Sequence, residues 1–179
     1  ACGLAGLGVG LSTTAYAYTT ERAARKVQLQ AKEIAAIAYA DPLTGIANRR
    51  AFKDVIEGDT GLDYVSALAV IDLDGFKAIN DTYGHEVGDE VLLQIADRLS
   101  SIVLGRSKVY RLGGDEFVFV ADENFLDCEA LGSEICKACG GAILTEAGAL
   151  PVWISVGVAA PSPDTRSVER RVGEGCRYG

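Results

Sequence analysis

The sequence is poor in the residues that build zinc sites. It has one histidine, His85, and no methionine, even at position 1, so we expect a fragment or a processed product of a longer protein. Cys136 and Cys139 form a CxxC motif, but a structural zinc ion needs two further ligands, and the sequence has no second CxxC or pair of histidines. We therefore expect reduced helical thiols at these positions and no zinc.

Basic residues are also scarce. The 179 residues include 17 Lys and Arg against 25 Asp and Glu, which gives a net charge of −8. A nucleic-acid groove normally carries a basic patch, so the composition predicts no nucleic-acid partner. A nucleotide substrate is compatible with this charge, because bound Mg²⁺ reverses the local field. With 49% hydrophobic residues, the chain can build the core of one domain without disulfides.

The first 18 residues contain no charged side chain and are rich in Gly and Ala. A membrane span needs about 20 apolar residues, so we interpret residues 1–18 as the end of a transmembrane segment. Basic residues follow directly, which predicts that the rest of the chain is cytoplasmic and anchored to the inner (plasma) membrane; they are Arg22, Arg25, Lys26 and Lys32. The alternative is a weakly apolar, soluble or disordered leader.

Residues 19–40 are predicted to form a linker or signalling helix, because residues 21–40 contain no Gly or Pro. Apolar residues recur at alternating steps of three and four, the seam of a coiled coil; they are Ala24, Val27, Ala31, Ile34 and Ala38. About two heptads are fewer than a coiled coil usually shows, so a single amphipathic helix is an equal alternative. Pro42 ends the helix.

The rest of the pattern predicts an α+β fold with a central, mainly antiparallel sheet flanked by helices. A buried strand is expected at 64–71, followed by helices near 76–81 and 86–104. Two short apolar runs around Gly113 and Gly114 indicate a hairpin. A helix at 124–144 and a strand in "LPVWISVGVAA" complete the order.

Carboxylates lie at the end of the first strand and in the hairpin. Asp72 and Asp74 follow the strand, and Asp115 and Glu116 follow the two glycines. Such a cluster, completed by nucleotide phosphates, suits Mg²⁺ better than zinc. Asp74 also has a structural explanation, as the cap of the next helix. Gly113 and Gly114 can adopt positive φ, which makes a tight turn and lets phosphates approach the backbone.

Three polar residues of the following segment could contact a nucleotide. Asp89 could accept from the two adjacent N–H groups that guanine offers and adenine does not, and Asn80 has both a donor and an acceptor. Lys77 could bind phosphate. Two of them also have a structural explanation: Asp89 could cap the helix "EVLLQIADRL", and Lys77 could be one solvated lysine.

Four segments together resemble the GGDEF domain of diguanylate cyclases: "DPLTGIANRRAF", "VIDLDGFKAINDTYGHEVGDEVL", "YRLGGDEFVFV" and "VWISVGVA". The resemblance implies a catalytic domain at residues 41–160 with the palm-like fold of nucleotidyl cyclases. It implies that two GTP molecules are joined into cyclic di-GMP, with release of two pyrophosphates, at the interface of a homodimer.

The resemblance also implies a role for each site residue. Asp72 and Asp115 would hold Mg²⁺, or Mn²⁺ in its place, and Glu116 would be a further metal ligand or an aid to deprotonation. Asn80 and Asp89 would read guanine, Lys77 would contact phosphate, and Gly113 and Gly114 would pass close to the triphosphate; these last five are the expected substrate-binding residues.

The sequence departs from the family in two places. The family's inhibitory RxxD product site falls on Leu104 and Ser107, so this site is expected to be absent. The family's C-terminal helix, with its phosphate-binding Lys and Arg, has no counterpart in the tail at 161–179, which we expect to be disordered or foreign. The alternative function is therefore a weak or inactive GTP-binding or dimerisation module; a cyclase with another base specificity is a third.

Overall fold

The computed structural model describes residues 18, 20–30, 34, 37–57, 65–122 and 127–160. The chain divides into two units, Ala1–Ala38 and Tyr39–Gly179. Every described residue of the first unit is helical, and Val27, Ile34 and Ile37 are exposed. A coiled coil in this unit stays a prediction. Among the described residues, none of the helices has the length and apolar character needed to cross a membrane. The predicted membrane segment and the tail at 161–179 lie outside them, except Tyr18.

The second unit contains four described helices and six described strands. The helices are α1 (Arg49–Glu57), α2 (Phe76–Tyr83), α3 (His85–Ser101) and α4 (Cys128–Cys139). The strands are β1 (Ala47–Asn48), β2 (Ala67–Asp74), β3 (Lys108–Gly113), β4 (Glu116–Ala121), β5 (Gly141–Thr145) and β6 (Gly148–Ala159). They form one sheet in the order β1-β3-β4-β2-β6-β5.

The predicted fold class is confirmed. Only the short β1 pairs in parallel, with β3, and the other neighbours in the sheet are antiparallel. The apolar residues of the central strands alternate between two faces, as the period of a strand requires. One set packs into the main core with α3 and α4, and it includes Ile71, Leu73, Phe117 and Phe119. The other set, which includes Tyr110, Val118 and Val120, packs with Ala51 of α1.

Two predicted elements have different bounds. The helix predicted at 124–144 is wrong in its last turn, because α4 ends at Cys139 and residues 141–145 form β5. The C-cap of α4, Gly140, has an extended backbone with φ −66° and ψ 157°, which ends the helical geometry, and the apolar run after it pairs with β6. The strand predicted at 64–71 is β2, which begins at Ala67 and continues through Asp74, so both Asp72 and Asp74 belong to it.

The buried cysteines of the CxxC motif belong to α4. Cys136 and Cys139 are part of the main core. Burial, with a smaller contribution from Cys136, raises the pKa of the Cys139 thiol to about 12, against the opposing effect of Arg98. A thiol held in this protonated form is a poor nucleophile and a poor metal ligand.

Helix α3 is joined to the edge strand β5 by a row of side chains spaced four residues apart. Glu90 Oε2 accepts from the backbone N–H of Glu146 at 2.9 Å, and Gln94 donates to the carbonyl of Leu144 at 2.6 Å. Arg98 donates to the carbonyls of Cys139, Gly140 and Ala142 at 3.2, 3.2 and 2.9 Å. Residues four apart share one face of a helix, so this row fixes the rotation of α3 about its axis.

Candidate active site

The centre of the candidate site is the carboxyl end of β2. Asp72 lies directly opposite Glu116 of β4 on one side and Ser155 of β6 on the other. Residues opposite each other in an antiparallel pair project from the same face, with Cβ atoms about 5 Å apart. The sheet therefore brings together two of the three predicted metal ligands, which are 44 positions apart in the sequence.

Asp115 completes the acidic cluster from the turn between β3 and β4. Partial burial raises the pKa of the Asp72 carboxyl, and the negative charges of Asp115, Asp74 and Glu116 raise it further. The charges of all three neighbours thus act on Asp72. A divalent cation bound here would relieve the repulsion among these carboxylates.

Asp74 does not cap a helix, so the structural explanation proposed from the sequence is wrong. The N-cap of α2 is Gly75, with φ 72° and no side-chain hydrogen bond to the helix. Asp74 still belongs to β2, opposite Trp153, and its Oδ1 accepts from the Ser155 hydroxyl at 2.7 Å. Its side chain is held on the sheet face that carries Asp72.

The two glycines of the hairpin turn adopt the expected geometry. Gly113 has φ 135° and Gly114 has φ 57°, and no atom lies within 4 Å of the position that a Cβ would occupy on either residue. A side chain would be strained at these angles. The turn therefore exposes bare backbone to open space beside Asp115, which is the surface that a phosphate group could approach.

An arginine that the sequence analysis did not select supports this turn. Arg111 Nε and Nη2 donate to the Gly114 carbonyl at 3.0 and 2.8 Å. Its Nη1 donates to Asp41 Oδ1 at 2.9 Å, and the two side chains are 10% and 14% exposed. The signal in the sequence was a charged residue in the apolar strand β3, two positions before the glycines.

Asp41 is itself held by several donors. Its Oδ1 accepts from the Thr44 backbone N–H at 2.9 Å and from the Thr44 hydroxyl at 2.7 Å. Burial alone raises the pKa of Asp41, but these hydrogen bonds and the Arg111 guanidinium outweigh it and lower the pKa below its usual value. Asp41 is therefore ionised in the folded protein and fixes Arg111.

Glu116 has a different surrounding from Asp72. It is exposed, and its carboxylate lies 3.7 Å from the Arg49 guanidinium at the start of α1. Both side chains are more than half exposed, so this ion pair is weak. Glu116 can therefore rotate between Arg49 and the acidic cluster without a large penalty.

The three predicted nucleotide contacts lie on α2 and α3. Lys77 is exposed in the first turn of α2, three residues after Asp74. Asn80 is half-buried on α2, where its side chain lies against the backbone of Gly88 on α3. Asp89 is exposed and does not cap α3, because the helix begins at His85 with Gly84 as its N-cap. Gly88 is the residue here that sequence reasoning missed.

The positions of the family's inhibitory motif are occupied by an exposed and a buried side chain. Leu104 is 54% exposed, whereas Ser107 is buried and donates to Asp122 Oδ1 at 3.0 Å. The Ser107 hydroxyl also accepts from the backbone N–H of Asp122 at 3.0 Å. Ser107 is therefore part of an internal hydrogen-bonded pair.

The candidate metal ligands at the carboxyl end of β2 are chemically suited to a hard divalent cation, because all of them are carboxylate oxygens. In the described part of the chain, however, no three His, Cys, Asp or Glu side chains are close enough together to form a complete metal site. The carboxylates provide part of a coordination shell, and oxygen atoms of a phosphorylated ligand would fit the remainder.

The family model of the diguanylate cyclase GGDEF domain matches residues 38–174. The chain therefore belongs to the diguanylate cyclase GGDEF domain family, as its sequence motifs predicted. The family assignment covers the sheet, α1 to α4 and every site residue described above.

Curated relatives and solved structures agree with this assignment. The chain is 44% identical over 118 residues to the diguanylate cyclase DgcN of Escherichia coli, covering 63% of this chain and 28% of that protein. It is 38% identical over 151 residues to the response regulator PleD of Caulobacter vibrioides, covering 78% and 33%. The chain thus spans about a third or less of these relatives. A sensory box/GGDEF family protein from Caulobacter crescentus is similar in structure, with a TM-score of 0.61, 32% identity and coverage of 72% and 87%.

Proposed function

We propose that this domain is a diguanylate cyclase that condenses two GTP molecules into cyclic di-GMP and two pyrophosphates. The observation that carries the proposal is the acidic cluster of Asp72, Asp115 and Glu116 beside the open glycine turn, in a chain of the GGDEF family. Relatives named diguanylate cyclase have a similar sequence in this region.

In the proposed reaction, each 3′-hydroxyl attacks the α-phosphate of the other GTP. An O–P bond forms, the bond to the β-phosphate breaks, and pyrophosphate leaves with the negative charge, while the hydroxyl proton passes to a base. Glu116 is the proposed acceptor of this proton, since it is exposed and its ion pair with Arg49 is weak. The chemistry depends on positioning and on stabilisation of the phosphoryl charge.

Asp72 and Asp115, with Glu116 beside them, are the proposed holders of Mg²⁺, with Mn²⁺ as a substitute. When bound, the ion would stabilise the negative charge that develops on the transferred phosphoryl group. The chain's own part is to keep Asp72 and Glu116 opposite each other in the sheet, with Asp115 in the adjacent glycine turn. The bare backbone of Gly113 and Gly114 gives the triphosphate room to lie against them.

Residues of α2 and α3 are proposed to bind the guanine base and the outer phosphates of GTP. Asp89 would accept from the N1 and exocyclic N–H groups of guanine, and the Asn80 carboxamide would bind a neighbouring edge atom. Lys77 would contact phosphate from the first turn of α2. Because α2 begins directly after β2, the helix holds Lys77 at the same end of the sheet as the carboxylates.

One site holds one GTP, so the condensation requires two protomers that face each other. We propose a homodimer in which the helix predicted at 19–40 pairs the chains. The exposed apolar residues Val27, Ile34 and Ile37 support this, since they lack cover within the described part of one chain.

The test is incubation of the full chain, fused to a dimerising coiled coil, with GTP and Mg²⁺, followed by chromatography of the nucleotides. Cyclic di-GMP and pyrophosphate in a 1:2 ratio are expected, and Asp115→Asn should abolish both while the melting temperature is retained. Asp97→Asn, an exposed acid of α3 outside the cluster, is the matched control. Turnover by Asp115→Asn equal to wild type would refute the metal assignment.

The second candidate is a GTP-binding module without turnover. It is favoured by the sequence at 161–179, in which no residue aligns with the family's phosphate-binding Lys. This module would bind GTP with Mg²⁺ and release no pyrophosphate, even as a dimer. If the dimerised chain binds GTP but forms neither cyclic di-GMP nor pyrophosphate, the result supports the GTP-binding module.

A further inference from the structure

Gly88 of α3 lies against the side chains of Asn80 and Phe76 of α2. It is buried and is the fourth residue of α3, one position before Asp89. A Cβ atom built on Gly88 would lie 1.9 Å from Asn80 Oδ1, 3.0 Å from Asn80 Cγ and 3.3 Å from Phe76 Cζ. Carbon and oxygen atoms that are not bonded do not approach to 1.9 Å, so the present position of the Asn80 side chain requires a glycine here.

A methyl group at this position could displace only one of its two neighbours easily. Phe76 is buried in the main core, so its ring is confined by other core residues. The Asn80 carboxamide is the end of a rotatable side chain and can turn away at small cost. Alanine at position 88 would therefore preserve the fold and move the carboxamide.

We propose that Gly88 is a specificity-determining residue for the nucleotide base. By carrying only a hydrogen atom, it lets the Asn80 carboxamide lie against α3 beside Asp89, so that both groups contact one base. This inference rests on the proposed function, in which Asn80 and Asp89 bind guanine. Gly88 does not touch the nucleotide in this account; it sets the place of a group that does.

A purely structural role would give a different pattern of effects. If Gly88 served only to let α2 and α3 pack closely, alanine would destabilise the domain and weaken the binding of every nucleotide to the same extent. If Gly88 acts through Asn80, alanine should matter only while the carboxamide is present. The combination of changes at both positions separates these two cases.

The experiment measures the binding of 3′-deoxy-GTP and 3′-deoxy-ATP with Mg²⁺ to the full chain by calorimetry. These analogues lack the attacking hydroxyl, so binding is observed without turnover. Wild type, Gly88→Ala, Asn80→Ala and the double variant are compared. Gly132→Ala is the matched control, because Gly132 is a helical glycine whose Cβ would make an ordinary 3.4 Å contact with Val158.

We expect Gly88→Ala to raise the Kd for the guanine analogue about 10-fold, the loss of one good hydrogen bond, and to reduce the preference over adenine by a similar factor. Asn80→Ala should do the same, and the double variant should bind no more weakly than Asn80→Ala. Gly132→Ala should bind like wild type. Gly88→Ala should melt within a few degrees of wild type, or, if it melts lower, the double variant should recover stability.

Unchanged binding by Gly88→Ala overturns the inference. It is also overturned if Gly88→Ala weakens binding of the guanine analogue as much in the Asn80→Ala background as in wild type. A loss of stability in Gly88→Ala that the double variant does not recover overturns it as well. Wild type that binds neither analogue, or both equally, overturns the proposed function itself. The two failures are therefore distinguished by the wild-type measurement alone.

Discussion

Arg111 and Asp41 connect the first turn of the domain to the glycine turn of the candidate site. Their side chains form a short, mostly buried ion pair, with Nη1 and Oδ1 2.9 Å apart across 70 positions of the sequence. Because Arg111 also donates twice to the Gly114 carbonyl, the place of Gly114 depends on Asp41. Asp41 lies two positions after Tyr39, where the second unit begins.

Arg111→Ala should destabilise the domain by about 2–4 kcal/mol, because it leaves the Asp41 carboxylate buried without its cation. Urea unfolding at pH 7 measures this. Arg111→Lys keeps the charge, but a lysine ammonium lacks the planar guanidinium that donates to Asp41 and to the Gly114 carbonyl at once. It should therefore recover part of the stability and little of the cyclase activity. Full activity in Arg111→Lys would show that the turn does not need this support.

Acid should weaken the same contact. The pKa of Asp41 is lowered in the folded state, so its contribution to stability is present above the unfolded value and is lost as the pH falls through the folded one. The stability difference between wild type and Asp41→Asn should therefore be largest near pH 7 and shrink below about pH 4. Urea unfolding from pH 7 to pH 3 checks this, and a difference that grows in acid would contradict it.

Asp72→Asn should stabilise the metal-free protein. The pKa of Asp72 is raised, so its ionised form at neutral pH costs stability, which is recovered only as the pH falls through the folded pKa. We expect the variant to melt about 1–4 °C higher without metal, and to gain less than wild type from Mn²⁺. Asp97→Asn is again the control.

Trp153 provides the metal measurement. It is the only tryptophan, is 43% exposed and lies opposite Asp74 in the sheet, so bound Mn²⁺ should quench its fluorescence. Equal quenching in wild type and Asp72→Asn would place the ion elsewhere.

Product inhibition through the RxxD positions should be weak. Leu104 and Ser107 supply neither the arginine nor the acid. Steady-state assays with added cyclic di-GMP measure this, and potent non-competitive inhibition would contradict it. Ser107→Asp should not create the acid site, because it sets a second carboxylate against the buried Asp122; we expect a loss of about 2–4 kcal/mol in urea unfolding.

The sequence predicted the elements whose signals are local. Apolar runs marked the central strands, and the glycine pair marked the hairpin between β3 and β4. The helix at 124–144 was misjudged because "GAILT" has no period that separates a strand from a helix, and only pairing with β6 decides it. The cap assigned to Asp74 failed because β2 continues past the predicted end.

The residues missed at the site share one property: their partners are distant in the sequence or are identified only by packing. Arg111 acts on Asp41 from 70 positions away. Gly88 matters because the Asn80 side chain of α2 lies against it, and a helical pattern gives no measure of that distance. Motifs indicated which groups take part, whereas the residues that hold those groups required the three-dimensional structure.

The row of Glu90, Gln94 and Arg98 has a consequence for association. β5 is the last strand of the sheet, and an open edge is a template on which another chain can add a strand. Here the carbonyls of Ala142 and Leu144 and the N–H of Glu146 are already bonded to side chains of α3. Strand addition at this edge would have to break those bonds first, so the row protects the domain against aggregation through β5.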